Sequence, residues 1–257
     1  MRVLKMVVTY DGTEYCGWQI QPNGPSVQAE LSKAIAAVTG ERTNPVGAGR
    51  TDSGVHALAQ IVAWPTESRL DCSVLQRALN ANLPAAIVIR RMEEAPADFD
   101  PVRQAKWKLY RYYLHDGAVR DPFLLRHVWA VHRRLDVAAM QQAAAALVGT
   151  HDFGSFETHW PNRATSVRTV RTCRVVRCGD LVSVDVEADG FLYNMVRAIV
   201  GTLVEVGRGK RPAGETASLL GAGKRGLAGP TAPAAGLFLV RVLYPTDVAQ
   251  TEASELK

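Results

Sequence analysis

The stretch KWKLYRYYLHDG, residues 106–117, repeats in outline the start of the chain, VLKMVVTYDG at residues 3–12. Each is a β-rich run that stops at an Asp-Gly pair, Tyr10-Asp11-Gly12 in one and His115-Asp116-Gly117 in the other, about 105 residues apart. Branched and aromatic side chains suit a pleated strand, and Asp-Gly suits the turn that closes it. Two such openings predict two halves built to one plan.

Working outward, the first half carries SVQAELSKAIAAVTG, a helical pattern that opens on Ser26 and ends at Gly40. Strand-like AQIVAWP follows, then a second helix in SVLQRALNANLP, stopped before Pro84, and a strand in AIVIRRM. The acidic, proline-bearing EEAPADFDP marks a boundary. In the second half a long alanine-rich helix, DVAAMQQAAAALVG, stands where the first half has its first helix. Strands VRTVRTCRVVR and LVSVDVEADG, the helix MVRAIVGTLVEVG and a closing strand GLFLVRVLY complete it. The pattern predicts an α+β fold of two similar halves with mostly antiparallel sheets and helices packed on one face. The expected boundaries are 1–104 and 105–245, with a polar tail at 246–257.

The chain has 257 residues, 47% of them hydrophobic, enough for a packed core and against a disordered chain. Lys and Arg number 30 against 25 Asp and Glu, a net charge of +5 that suits a polyanionic partner without requiring one. Cys16, Cys72, Cys173 and Cys178 form no CxxC pair and no Cys/His zinc spacing. They read as reduced cysteines, and no apolar run reaches the length of a membrane span, so a soluble cytoplasmic protein is expected. The scattered histidines, His56 and His151 among them, read as surface or capping residues.

GAGKRG at 221–226 has the letters of a dinucleotide-binding loop, but a helical stretch precedes it instead of a strand. It reads as a helix-ending loop, with Lys224 and Arg225 as candidate phosphate contacts. The arginines of residues 166–177 sit on a strand, where alternation puts Arg168 and Arg174 on one face and Arg171 and Arg177 on the other. A solvated edge and a phosphate-tracking strand both fit. GRGKRP adds Lys210 and Arg211. The most loaded stretch is GAGRTDSGVHA at 47–57, with an acid and a base two residues apart on a glycine-rich bend. Asp52 there fits either a turn-fixing carboxylate or a catalytic one, and Arg50 either its ion-pair partner or a phosphate clamp.

YDGTEYCGWQIQP, SVQAEL, GAGRTDSGVHA, ALNANLP, YRYYL, HDFGSF, GFLYNMVRAIVGTLVEVG and AGPTAPAAGLFLVRVLY occur in that order. From Val7 to Tyr244 the chain resembles the tRNA pseudouridine synthase A (TruA) family. The resemblance implies a pseudouridine synthase fold, its two halves joined around a central cleft with helices on the outer face. It implies isomerisation of uridine to pseudouridine at nucleotides 38, 39 and 40 of the tRNA anticodon stem-loop. It also implies a homodimer, no cofactor and no essential metal. Asp52 matches the family's nucleophile. Tyr110 matches the tyrosine that packs on the target base, Arg197 the arginine that pairs with the catalytic carboxylate, and Arg50 the arginine linked to flipping the nucleotide. The family's Phe-His-Ala-Arg is replaced by Phe99-Asp100-Pro101-Val102, which removes an arginine, although Arg103 is adjacent; Ser53 stands where alanine is frequent. Candidate further RNA contacts are Arg168, Arg174, Lys210 and Arg211.

The chemistry wants these residue types. The reaction breaks a C1′–N1 bond and makes a C1′–C5 bond, an isomerisation that needs no redox partner. A carboxylate can attack C1′ or C6, and the sequence does not separate the two. Reading a stacked base requires flipping it, which costs a few kcal/mol, and aromatic stacking returns about 1–3 kcal/mol per base. Two rival readings, a non-catalytic RNA-binding protein and a nucleotide-dependent oxidoreductase, lack respectively a use for Asp52 and a loop in the right context.

Overall fold

The computed structural model describes residues 1–158, 165–245 and 247. The chain forms two compact units, Met1–Lys106 together with the chain from Phe238 onward, and Trp107–Leu237. The sequence reading placed the break after residue 104 and the closing strand with the second half. The break falls after Lys106, and that strand belongs to the first unit, through a long-range pairing that no local pattern encodes. The expected tail, 246–257, lies outside the described residues apart from Asp247.

In chain order the first unit contains β1 (Arg2–Tyr10), α1 (Val27–Thr39), β2 (Val46–Gly47), β3 (His56–Thr66), α2 (Cys72–Asn82) and β4 (Ile87–Ala95). The second contains β5 (Trp107–His115), β6 (Trp129–Ala130), α3 (Val137–Ala145), β7 (Gly149–Asp152), β8 (Val167–Cys178), β9 (Leu181–Ala188), α4 (Met195–Gly207) and α5 (Glu215–Ser218). The chain closes with β10 (Leu237–Leu243). This is the α+β class expected. The strands β2, β6 and β7 escaped the sequence because two to four residues are too few to show a period.

The sheet of the first unit runs β4-β1-β3-β10. β1 is antiparallel to β3 and β4, whereas β10 runs parallel to β3, with Phe238 opposite His56. Leu4, Met6, Val8 and Tyr10 alternate along β1 into the core. α1 is capped as expected: Ser26 Oγ accepts from Ala29 N, and Gly40 closes the helix at φ 76° with its N–H on Ala36 O. α2 packs on β4, and Asn80 reaches down to it: its Oδ1 accepts from Ile89 N at 2.8 Å and its Nδ2 donates to Ile89 O at 2.9 Å. There the register of β4 against β1 skips Arg90, so Asn80 satisfies peptide groups at an irregularity.

The sheet of the second unit runs β5-β9-β8-β7, antiparallel throughout, with β6 parallel to β5. α3 is shorter than expected because the N–H groups of Leu147 and Val148 turn back to Ala144 and Ala145 O, tightening its end. Gln141 on α3 does for β8 what Asn80 does for β4: its Oε1 accepts from Val175 N at 2.7 Å and its Nε2 donates to Cys173 O at 3.5 Å. α4 is buried all round except for Arg197 and Glu205. Gly201 lets the 228–231 loop lie against it, since a β-carbon there would overlap the Pro230 carbonyl.

Candidate active site

The bend at 47–57 belongs to the first unit, and its backbone is pinned from several sides. Ala48 N donates to Ile61 O at 2.7 Å, and Gln60 Nε2 donates to Gly49 O at 2.7 Å. Thr51 O accepts from Trp18 N at 3.0 Å, and the hydroxyls of Thr51 and Tyr10 lie 2.7 Å apart. Past Asp52, Gly54 N donates to Tyr15 O at 3.2 Å and Val55 N to Asp52 O at 3.1 Å. The segment YDGTEYCGW thus forms a brace for the bend. Two of its glycines are needed for contact: a β-carbon on Gly12 would overlap the Val55 carbonyl, and one on Gly17 would stand 2.6 Å from Thr51 O. On this platform Asp52 is half-buried and Arg50 exposed. His56, read as a surface or capping residue, is buried instead, stacked 4.5 Å from the Phe238 ring, with Nδ1 3.1 Å from both Gly12 N and Asp11 Oδ1. It is part of the brace, because the strand after the bend turns straight into the sheet.

In the second unit, Tyr110 lies on β5 opposite Val186, buried and edge-on to Phe191 with ring centroids 5.0 Å apart. Arg197 is in the first turn of α4. Its Nε donates to Ala232 O at 2.7 Å and its Nη1 to Asn194 Oδ1 at 2.8 Å, which orients the guanidinium. Its charge reaches the buried Tyr112 phenol, which burial pushes up and Arg197 partly pulls back. Asp52 and Arg50 therefore share one pinned bend, and Tyr110 and Arg197 share the β5–α4 unit. Asn194 was not foreseen. It stands just before α4 at φ 61°, a left-handed conformation that asparagine tolerates. An asparagine three residues before an arginine at a helix start is the signal that could have found it.

The expected RNA contacts divide. The reading that Arg168 and Arg174 share a face is corrected by a bulge in β8, where Val170 pairs with Ala188 but Thr172 with Glu187. The extra residue reverses the alternation, so Arg168 falls on the side of buried Val170 and Cys173, and Arg174 on the opposite, exposed side. Arg168 Nη1 donates to Thr165 O and Val167 O. Arg211 is held by Glu205 at 3.3 Å and Glu215 at 2.5 Å, whereas Lys210 is exposed. Arg225, a candidate phosphate contact, ties its own loop: Nη1 donates to Gly229 O and Nη2 to Thr231 Oγ1. Its neighbour Lys224 is exposed. In the Phe99–Val102 segment, Asp100 Oδ1 accepts from Val102 N and Arg103 N, and these bonds hold its carboxyl below the usual range. The Arg103 side chain is 89% exposed.

Residues 6–102 and 143–245 match the protein family described as tRNA pseudouridine synthase. The matched spans include Arg50, Asp52 and Arg197, and Tyr110 falls between them. The chain is similar to tRNA pseudouridine synthase A of Acetivibrio thermocellus, 43% identical over 244 residues, covering 95% of this chain and 100% of that one. It is 45% identical to the protein of that name from Moorella thermoacetica over 246 residues, with 95% and 100% covered. Among solved structures it matches a chain of a Cbf5–Nop10–Gar1 complex at 12% identity and TM-score 0.36, covering 92% of this chain and 48% of the other, a likeness too slight to build on. The family match places the chain among the pseudouridine synthases, isomerases with an α+β fold. Within that class it belongs to the tRNA pseudouridine synthase A family.

Proposed function

We propose that this protein isomerises uridine to pseudouridine at positions 38, 39 and 40 in the anticodon stem-loop of tRNA. Asp52 acts as the nucleophile on a base flipped out of its stack. Family membership supports the substrate, and one observation carries the assignment of Asp52: the most specific motif of the chain is a rigidly braced bend that presents a carboxylate. A turn whose only task is to reverse the chain has no need of so many holds on its backbone.

The carboxylate attacks C1′ or C6, the C1′–N1 bond breaks, the uracil turns, the C1′–C5 bond forms and the carboxylate is released. A base takes the proton from C5 and N1 gains one, so the product is an isomer of the substrate. Flipping costs a few kcal/mol, and a tyrosine platform offsets part of it. Tyr110, Arg197 and Arg50 take the roles that the family resemblance gives them. The reading includes a homodimer working in the cytoplasm. Among the described residues no helix is long and apolar enough to cross a membrane. The test is to incubate the purified protein with unmodified tRNA transcript, without added cofactor, and to map pseudouridine. Product confined to positions 38–40 is expected; product elsewhere, or none, overturns the reading.

A further inference from the structure

Beneath the bend lies a polar cluster that the reaction itself does not use. Tyr10 is 2% exposed, Thr51 5% and Gln60 0%, so all three polar side chains are out of solvent. Tyr10 ends β1, Gln60 lies within β3, and both point up at the bend that β2 leads into. The Tyr10 hydroxyl meets Thr51 Oγ1 at 2.7 Å, and Gln60 Nε2 meets the Gly49 carbonyl at 2.7 Å. The two bonds therefore grip Thr51 and Gly49, the residues on either side of Arg50, and Thr51 is the one before Asp52. Burial pushes the Tyr10 phenol up, and its polar contacts with Thr51 and Gln60 do not offset this, so it stays protonated and keeps its hydrogen bond at every working pH.

An apolar core needs no such cluster. Phenylalanine at 10, valine at 51 and leucine at 60 would fill the same space without burying hydroxyls and an amide. Gln60 Oε1 has no hydrogen-bond partner, but the two bonds that the cluster does make fix the backbone they reach, because any shift of the bend breaks a bond in a place where water cannot replace it. A nucleophile must be held to within a fraction of an ångström of its reacting atom, and small misplacements are expensive in rate.

We propose that Tyr10 and Gln60 are positioning residues, which set the pose of Asp52 by holding Thr51 and Gly49 from below. This rests on the reading of Asp52 as nucleophile. Both side chains are buried, so their loss is expected to act on the chemical step and to leave binding alone.

The experiment measures single-turnover rate, tRNA affinity and melting temperature for Tyr10→Phe, Thr51→Val, the double variant Tyr10→Phe/Thr51→Val, and Gln60→Leu, with Asp52→Asn alongside. Tyr10→Phe is expected to slow the single-turnover rate by tenfold or more, with tRNA affinity within about twofold of wild type. The double variant separates positioning from packing. Removing both hydroxyls leaves neither unsatisfied, so its melting temperature recovers towards wild type. If positioning is the role, its rate stays low; if the cluster is only packing, the rate recovers with the melting temperature, and the proposal falls. Gln60→Leu slows the rate through the other grip, and a wild-type rate overturns its part. An inactive Asp52→Asn beside a wild-type rate in Tyr10→Phe sinks this proposal alone, whereas an active Asp52→Asn sinks the nucleophile reading first.

Discussion

Asp11 and Asp116 stand one residue past the end of corresponding strands, β1 and β5, and are put to different uses. The Asp11 side chain is 38% exposed and its Oδ1 accepts from Thr13 N and Oγ1. The Asp116 side chain is fully buried, with Arg177 donating to both its oxygens at 2.9 and 2.7 Å, Arg134 at 3.2 Å and Leu135 N at 3.0 Å. The glycines that follow differ in the same way. Gly12 lies against the backbone of the bend at 47–57, whereas Gly117 lies against the Asp180 carboxylate at the β8–β9 turn. One tripeptide plan thus serves as a brace for the glycine-rich bend in the first unit and as an ionic lock on a hairpin in the second. A sequence echo gives the position of a turn, and the neighbours the turn meets give its work.

The comparison is broken most severely at the bend that the first unit braces. Asp52→Asn keeps the size of the side chain and its turn-forming capacity but removes the carboxylate proposed as nucleophile. The expected loss of isomerisation is more than about a thousandfold, as for other catalytic nucleophiles, with tRNA binding retained. Pseudouridine mapping beside a binding measurement checks it, with the protein mass confirming that Asn has not deamidated. Turnover within tenfold of wild type would remove Asp52 from the role.

Next in size is the lock itself. Asp116→Asn leaves the Arg177 guanidinium facing a neutral amide, and breaking such a buried pair costs about 3–5 kcal/mol. Asp11→Asn, at a half-exposed turn, is expected to cost less than about 1 kcal/mol. Urea unfolding of the two variants tests the contrast, and equal losses would show the two turns to be equivalent. The pH dependence carries a sign as well. Burial pushes the Asp116 carboxyl up, but the bonds from Arg177 and Leu135 outweigh it, so the net shift is downward. A lowered carboxyl stabilises the fold above the ordinary Asp value of about 3.9, and that stability is lost as pH falls through the lowered value. Wild type should therefore lose stability more steeply below about pH 4 than Asp116→Asn does.

A smaller effect separates the two amides that reach from helix to strand. Asn80 makes two short bonds to Ile89, at 2.8 and 2.9 Å, whereas Gln141 makes one short bond at 2.7 Å and one long at 3.5 Å. Replacement by leucine leaves strand peptide groups unpaired, at about 1–3 kcal/mol for each buried group. Asn80→Leu should cost more than Gln141→Leu in the same unfolding measurement. The reverse order would mean that the irregular register at Arg90 needs no support.

These contrasts also show what the sequence could and could not say. The strands β1, β5 and β9, and the helix α1 with its Ser26 and Gly40 caps, were legible because their signals are local: alternation, spacing and capping chemistry. Asp52, Arg50, Tyr110 and Arg197 were singled out by family resemblance together with the oddity of an acid on a glycine bend. What stayed hidden is non-local. Nothing near Phe238 says that its strand pairs with His56, and nothing near Gln60 says that its amide ends under Gly49. The arginines of β8 misled because alternation assumes an unbroken ladder. A single extra residue near Arg171 reverses it, and no glycine or proline marks the place.

That reversal sets up the smallest and most pointed prediction. Arg174 is exposed, and its cross-strand neighbour Asp185 is already held by Arg111 at 2.6 and 2.7 Å. Arg168 is on the other face, with its guanidinium on the carbonyls of Thr165 and Val167. A cation that tracks phosphate releases counterions when RNA binds, so its removal lowers affinity for all sequences alike and reduces the salt slope by about one. Arg174→Gln is expected to weaken tRNA binding by less than about tenfold at low salt, with that reduced slope and an unchanged melting temperature. Arg168→Gln should instead show itself in stability, because its bonds order the entry to β8. Binding titrations across a salt series, with melting curves on the same samples, read both. If Arg168→Gln alone flattens the salt dependence, the face carrying RNA is the one that Arg168 shares with Val170, and the assignment of Arg174 falls.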